Sequence, residues 1–213
     1  MRSQRSILAL TSLALAACTT AGTPRIIETG GEIAVRRDAM ALRQSMRRLW
    51  TDHVVWTRGY IVAAVANDPS ASAAATRLMK NQEDIGNAVA RFYGTPAGAK
   101  LTELLKEHIT IAVDLVAAAK AGNTAGVTAA NTRWHANAGE IATFLSSANP
   151  NWPRETLRMM LDEHLRLTTE EANARIEKRW DDDVRSFDRI LDQALEMADA
   201  LTDGIAKQFP NRV

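Results

Sequence analysis

Three short segments of the chain align at spacings of 55 and 56 residues. Leu49-Trp50-Thr51-Asp52-His53-Val54, Leu104-Leu105-Lys106-Glu107-His108-Ile109 and Met160-Leu161-Asp162-Glu163-His164-Leu165 share one pattern: apolar, apolar, any residue, acid, His, aliphatic. A second set follows further along each unit, with successive members 56 apart. It comprises Arg77, Asn81, Asp84 and Ile85, then Arg133, Asn137, Glu140 and Ile141, then Arg189, Gln193, Glu196 and Met197. A period of this length reads as a supersecondary unit that recurs and stacks on its neighbours. The spacing predicts three helical hairpins of about 56 residues, each carrying one repeated histidine.

The hydrophobic pattern agrees with helices throughout. Apolar residues recur at 3.6-residue spacing from about residue 32 onward, and no alternating strand pattern is present. The 37 alanines favour helix, because Ala loses no side-chain entropy there. Breaks fall at Asp68-Pro69-Ser70, Gly94-Thr95-Pro96, Gly122-Asn123-Thr124 and Asn149-Pro150-Asn151-Trp152-Pro153. They predict helices over about 35–67, 70–93, 97–120, 124–147 and 153–168. A last helix is expected from Glu170 to Gln208, bending near Asp181-Asp182-Asp183. A third hairpin needs the chain to turn near residue 180. The expected fold is an all-α bundle of three antiparallel hairpins.

The N-terminus reads as an export signal and not as part of the fold. Arg2 and Arg5 precede the apolar stretch Ile7 to Ala17, which is too short to span a bilayer. It ends Leu15-Ala16-Ala17-Cys18, the lipobox pattern of bacterial lipoproteins, in which the Cys becomes the acylated first residue. Cys18 is the only cysteine of the chain, so no internal disulfide is possible. The expected layout is a signal peptide over 1–17, a lipidated Cys18 with a flexible tether over 18–31, and one helical domain over 32–213. The membrane partner is reached through the lipid on Cys18. The expected location is the cell envelope, on the outer membrane facing the periplasm in a Gram-negative host. The mature chain would hold 196 residues with 24 basic and 25 acidic side chains. That balance excludes a strongly basic nucleic-acid binder.

Reflection about each hairpin turn predicts which residues lie level. His53 should lie level with Asp84, and His108 with Asn137, with Glu140 about one turn away. Two readings follow. In one, each His bonds an amide or carboxylate across its own hairpin and serves packing. In the other, His53, His108 and His164 converge, with Asp84 and Glu140 nearby, on a transition-metal ion or another small ligand. Spacing within single helices gives no di-iron Glu-x-x-His, no His-Glu-x-x-His and no Cys-x-x-Cys-His. Glycine-rich phosphate loops and nucleophile elbows are absent too. Trp50, Trp56, Trp134, Trp152 and Trp180 are candidates for core or for a ligand cavity. Arg36, Arg37, Arg43, Arg47 and Arg48 form a basic start to the first helix, read as lipid-facing or simply solvated.

Three further stretches, Leu49 to Arg58, Asn149-Pro150-Asn151-Trp152 and Met197 to Ile205 closed by Lys207-Gln208-Phe209-Pro210, carry a resemblance. The chain resembles a family of small bacterial secreted or lipid-anchored all-helical proteins with no established activity. Its members sometimes carry labels such as glycosyltransferase or acetylglutamate kinase. The resemblance spans nearly the whole mature chain and implies a helical fold and an envelope location. The three repeated His fit its pattern, whereas His135 departs from it, an aromatic such as Tyr being expected there. The enzyme labels do not transfer, because such activities need an α/β nucleotide-binding core. The leading expectation is non-enzymatic binding of a metal ion or small ligand inside the bundle. The alternative is a structural or adaptor lipoprotein whose polar interior serves packing, and the third is a metal-dependent enzyme.

Overall fold

A computed structural model describes residues 30–212, with side chains from residue 37 onward. Cys18, the leader before it and most of the tether lie outside the described residues. Six helices follow one another: α1 (Gly30–Ala66), α2 (Ala71–Tyr93), α3 (Thr95–Lys120), α4 (Thr124–Ala148), α5 (Arg154–Ile176) and α6 (Trp180–Gln208). No strand occurs among the described residues, and none of the described helices is long and apolar enough to cross a membrane.

Most breaks fall where turn chemistry predicts them. Asp68 accepts the Ser70 backbone N–H at 2.8 Å between α1 and α2, and Asn123 caps α4 by accepting from Gly126 N–H at 2.9 Å. Two boundaries differ from expectation. Gly30 and Gly31, expected in the tether, already belong to α1. The fifth helix does not stop at Thr168-Thr169 but runs to Ile176, so Glu170 and Glu171 start nothing. Thr168 satisfies its hydroxyl on the His164 carbonyl one turn back, at 2.8 Å, which leaves the helix intact. The turn comes at Glu177–Arg179, where Lys178 takes a left-handed φ of 59°. No glycine or proline announces it.

Short turns make consecutive helices antiparallel, so α1, α3 and α5 run the same way. These three touch one another and form the inner part of the bundle. Each outer helix fills a groove between two of them: α2 lies on α1 and α3, α4 on α3 and α5, and α6 on α5 and α1. Arg43 and Arg47 on α1 pair with Asp199 and Asp203 on α6 and close the ring. Two of the basic residues at the start of α1 are thereby already neutralised.

Parallel inner helices bring residues 55 and 56 apart to the same depth. Met46, Leu101 and Leu157 share an apolar cavity of about 30 Å³ with Trp50, Leu105 and Leu161. The outer helices complete it with Ile85, Ile141 and Met197, and with Val89, Leu145 and Leu201. Below lie His53, His108 and His164, then Thr57, Ala112 and Thr168, then Ile61, Val116 and Ala172. Trp152 closes the apolar end. There Tyr93 donates to Gln208 Oε1 at 2.9 Å and accepts from Asn149 Nδ2 at 2.8 Å, with its ring 5.5 Å from that of Trp152. The α4–α5 loop and the end of α6 thus meet the end of α2 in one cap.

Two glycines let α2 and α3 approach closely. A Cβ on Gly86 would come within 2.6 Å of the Gly98 carbonyl oxygen and 1.9 Å of Thr102 Oγ1. Gly59 has ordinary space, its nearest neighbour 3.9 Å away. Replacing a mid-helix Gly by Ala gains about 1 kcal/mol in propensity, whereas overpacking a tight crossing costs about 1–3 kcal/mol. Urea unfolding should therefore rank Gly59→Ala above wild type and Gly86→Ala below it. Equal midpoints for the two variants would contradict this crossing.

Candidate functional site

The three repeated histidines come from the three inner helices and face one small cavity. His53, His108 and His164 are buried, each no more than 4% exposed. The His53 and His164 rings lie 5.6 Å apart, centroid to centroid. Trp50 packs beside His53 at 5.6 Å and Trp134 beside His108 at 5.2 Å. The cavity has a volume of about 20 Å³, room for one water molecule or one ion.

Each ring uses Nδ1 on the outer helix of its own hairpin. His108 Nδ1 lies 2.9 Å from Asn137 Oδ1, and His164 Nδ1 lies 2.9 Å from Gln193 Oε1. Both amides are fixed from behind, since Asn137 Nδ2 donates to the Leu104 carbonyl at 3.1 Å and Gln193 Nε2 to the Met160 carbonyl at 2.9 Å. The first hairpin divides these duties between neighbours. Asn81 Nδ2 donates to the Leu49 carbonyl at 2.9 Å, while Gln82 Nε2 meets His53 Nδ1 at 3.2 Å. No group among the described residues hydrogen-bonds to Nε2 of any of the three rings.

Burial keeps these imidazoles neutral. It holds His53 well below the ordinary imidazole range, lowers His164, and brings His108 down to about 3. For His53 the neighbouring His164 and His108 press in the same direction.

The acidic partners expected at this site are elsewhere. Asp84 is half-exposed and pairs with Lys80 at 3.2 Å. It sits two residues beyond Gln82, so it points away when Gln82 points in. Glu140 is exposed, because Ile141 takes the inward direction of that turn. A carboxylate beside an apolar cavity would also carry a heavy desolvation cost. The five expected ligands therefore do not assemble. Among the described residues, no group of three or more His, Cys, Asp or Glu is arranged to hold a metal ion as it stands. His135 lies outside the cavity, 2.7 Å from Asp162 in a surface groove.

A second buried polar cluster was not foreseen. Arg58 donates to Glu171 Oε1 at 2.6 Å and to Asp183 at 2.8 and 3.2 Å, and Arg175 reaches Asp183 at 3.2 Å. Glu171 is 1% exposed, and burial pushes its carboxyl up to about 7 against the pull of Arg58. The signal was in the spacing: the positions 56 and 111 residues earlier are Leu115 and Tyr60. An acid at that depth needs a cation, and Arg58 follows Thr57 directly, five residues beyond His53.

The Trp residues divide as well. Trp50, Trp134 and Trp152 are buried and line the two cavities, while Trp56 lies under Arg77 and Trp180 under Arg175 at the surface. Compared with known proteins, the chain matches no family model, no curated protein and no solved structure.

The buried histidines make stability depend on pH. Above 6.5 they are neutral in both folded and unfolded chains. As pH falls below 6.5, the unfolded chain takes up protons that the folded core refuses, so stability falls. Each histidine contributes up to roughly 1.4 kcal/mol per pH unit. Glu171 acts oppositely between pH 7 and 4.5, since the folded state binds its proton more tightly. Between pH 6 and 5 the three histidines outweigh Glu171, so the net effect there is a loss of stability as pH falls. Urea unfolding at pH 7, 6 and 5 should show this slope, and His108→Leu should reduce it. A flat profile would mean that the rings are not buried neutral.

Proposed function

We propose that this protein is a lipid-anchored envelope protein that holds one transition-metal ion at three core histidines, without enzymatic activity. One observation carries the reading: three neutral imidazoles from three helices line a single ion-sized cavity, each with Nδ1 engaged and Nε2 without a hydrogen-bond partner among the described residues. Neutral imidazole is the form that ligates, and a carbonyl oxygen on the other ring nitrogen is the usual outer support of a metal-bound His. Asn137 and Gln193 supply that support to His108 and His164.

Two imidazoles on one zinc, at about 2.0–2.1 Å per bond, hold their centroids roughly 5 Å apart. The 5.6 Å between His53 and His164 is close to that separation. Because the three rings as placed form no metal-holding group among the described residues, this reading requires His108 to turn off Trp134 toward the other two. The cavity is too small for an organic substrate, which favours holding an ion over transforming a molecule. Asp84 and Glu140 take no part. The lipobox ending at Cys18 supports anchoring in the envelope, on the periplasmic face of the outer membrane in a Gram-negative host.

The three His–amide bonds also favour a second reading, in which the polar interior only fixes packing and the protein is a structural or adaptor lipoprotein. Elemental mass spectrometry separates the two. Residues 19–213, exported without the anchor and purified without chelator or a His tag, should carry near-stoichiometric metal. The His53→Ala, His108→Ala, His164→Ala triple variant, still helical, should carry none. No metal after reconstitution, with the variant merely less stable, would overturn metal binding and leave the packing role.

A further inference from the structure

The three imidazoles are held alike in position but not in chemistry. Asn137 and Gln193 each present a carbonyl oxygen to the ring, because their amide nitrogens are committed to backbone carbonyls. An oxygen there must accept, so His108 and His164 carry their protons on Nδ1. Their Nε2 lone pairs are left for the cavity.

Gln82 presents its nitrogen instead. One hydrogen of Gln82 Nε2 goes to the Leu78 carbonyl at 2.9 Å. The other lies between Asn81 Oδ1 and His53 Nδ1, both at 3.2 Å. Turning the amide over would set its oxygen against two acceptors, the Leu78 carbonyl and Asn81 Oδ1. Asn81 cannot turn to relieve this, because its own Nδ2 is bound to the Leu49 carbonyl. The arrangement leaves Gln82 Oε1 buried without a partner, a cost the network accepts to keep the nitrogen toward His53. With Asn81 Oδ1, the other side-chain partner of His53, engaged by Gln82, His53 Nδ1 is left to accept the Gln82 N–H, and an accepting ring nitrogen carries no proton.

We infer that Gln82 holds His53 in the tautomer opposite to that of His108 and His164 and is the residue that sets the selectivity of the cavity. The metal-free cavity then offers two lone pairs, from His108 and His164, and one imidazole N–H, from His53. Trp134, which lines the same space, adds a buried indole N–H with no partner among the described residues. Two acceptors and two donors are complementary to one small neutral molecule that both donates and accepts, such as water. They are unfavourable to a bare cation. A metal ion gains its third nitrogen only when the His53 proton moves from Nε2 to Nδ1, against Gln82. Gln82 therefore acts as a positioning residue that lowers metal affinity and excludes ions that cannot drive the tautomer change. This rests on the metal reading above for its consequence, but not for the tautomer itself.

The test is long-range proton–nitrogen NMR on the 15N-labelled full-length protein in detergent, without metal. His53 should show protonated Nε2 and bare Nδ1, with His108 and His164 showing the reverse. One common tautomer at all three would overturn the inference, whether or not the protein binds metal. In Gln82→Met the donor is gone and Asn81 Oδ1 is the nearest acceptor. His53 should then join the other two, and zinc(II) should bind 10- to 100-fold more tightly, the range for outer-shell changes. An unchanged His53 tautomer in Gln82→Met would also overturn it. Should that variant not fold, the wild-type spectrum alone decides. Opposite tautomers without any zinc binding would sink the metal reading and leave the role of Gln82 intact.

Discussion

Three imidazoles lie at one depth between apolar layers, and each Nδ1 removed from water needs a partner. Leaving one unpaired costs about 1–3 kcal/mol, comparable with a large share of a domain's net stability. The partners come from outside the inner trio, from α2, α4 and α6. Each outer helix must therefore sit at one register along its hairpin, because a shift by a turn would leave an imidazole unmatched. The residues 29 positions beyond each His, Gln82, Asn137 and Gln193, set that register. The apolar layers above and the Ile61, Val116 and Ala172 layer below then fall into place around it.

The two ends of the bundle solve different problems. At one end Tyr93, Asn149, Trp152, Gln208 and Phe209 tie the end of α2, the α4–α5 loop and the end of α6 into an aromatic lid in which Tyr93, Asn149 and Gln208 are joined by hydrogen bonds. Toward the other end an ionic cluster replaces it, with Arg58 on α1 holding Glu171 of α5 and Asp183 of α6. Breaking one member of such a pair leaves an uncompensated buried charge, so this cluster fixes the α5–α6 hairpin where the chain has no glycine to make its turn.

The all-α fold was legible because the 3.6-residue apolar period and the helix breaks are local signals. Asn123 and Asp68 announced their turns, and reflecting His108 about its turn pointed to Asn137. The turn at Lys178 was indicated only by the spacing, which called for a turn near residue 180, since a lysine with positive φ leaves no mark in composition. The facing of acids was not legible. Reflection gives depth along a hairpin but not rotation about the helix, so Asp84 was level with the site yet turned away from it, and Gln82 was overlooked. Arg58, Glu171 and Asp183 come from three helices, and no spacing within one segment could connect them.

Strict up-and-down alternation has an electrostatic consequence. Three helices point one way and three the other, so their macrodipoles oppose one another pair by pair. His53, His108 and His164 sit in mid-helix, more than two turns from any terminus, where the influence of free N–H and C=O groups has died away. Among the described residues no carboxylate lines their cavity either. The cavity is thus electrically quiet: neither backbone nor side chains raise a field that would draw an ion in by charge alone. What it can hold is decided by the direction of a few nitrogen lone pairs and N–H bonds, which makes recognition there a matter of bonding geometry and leaves it little affected by salt.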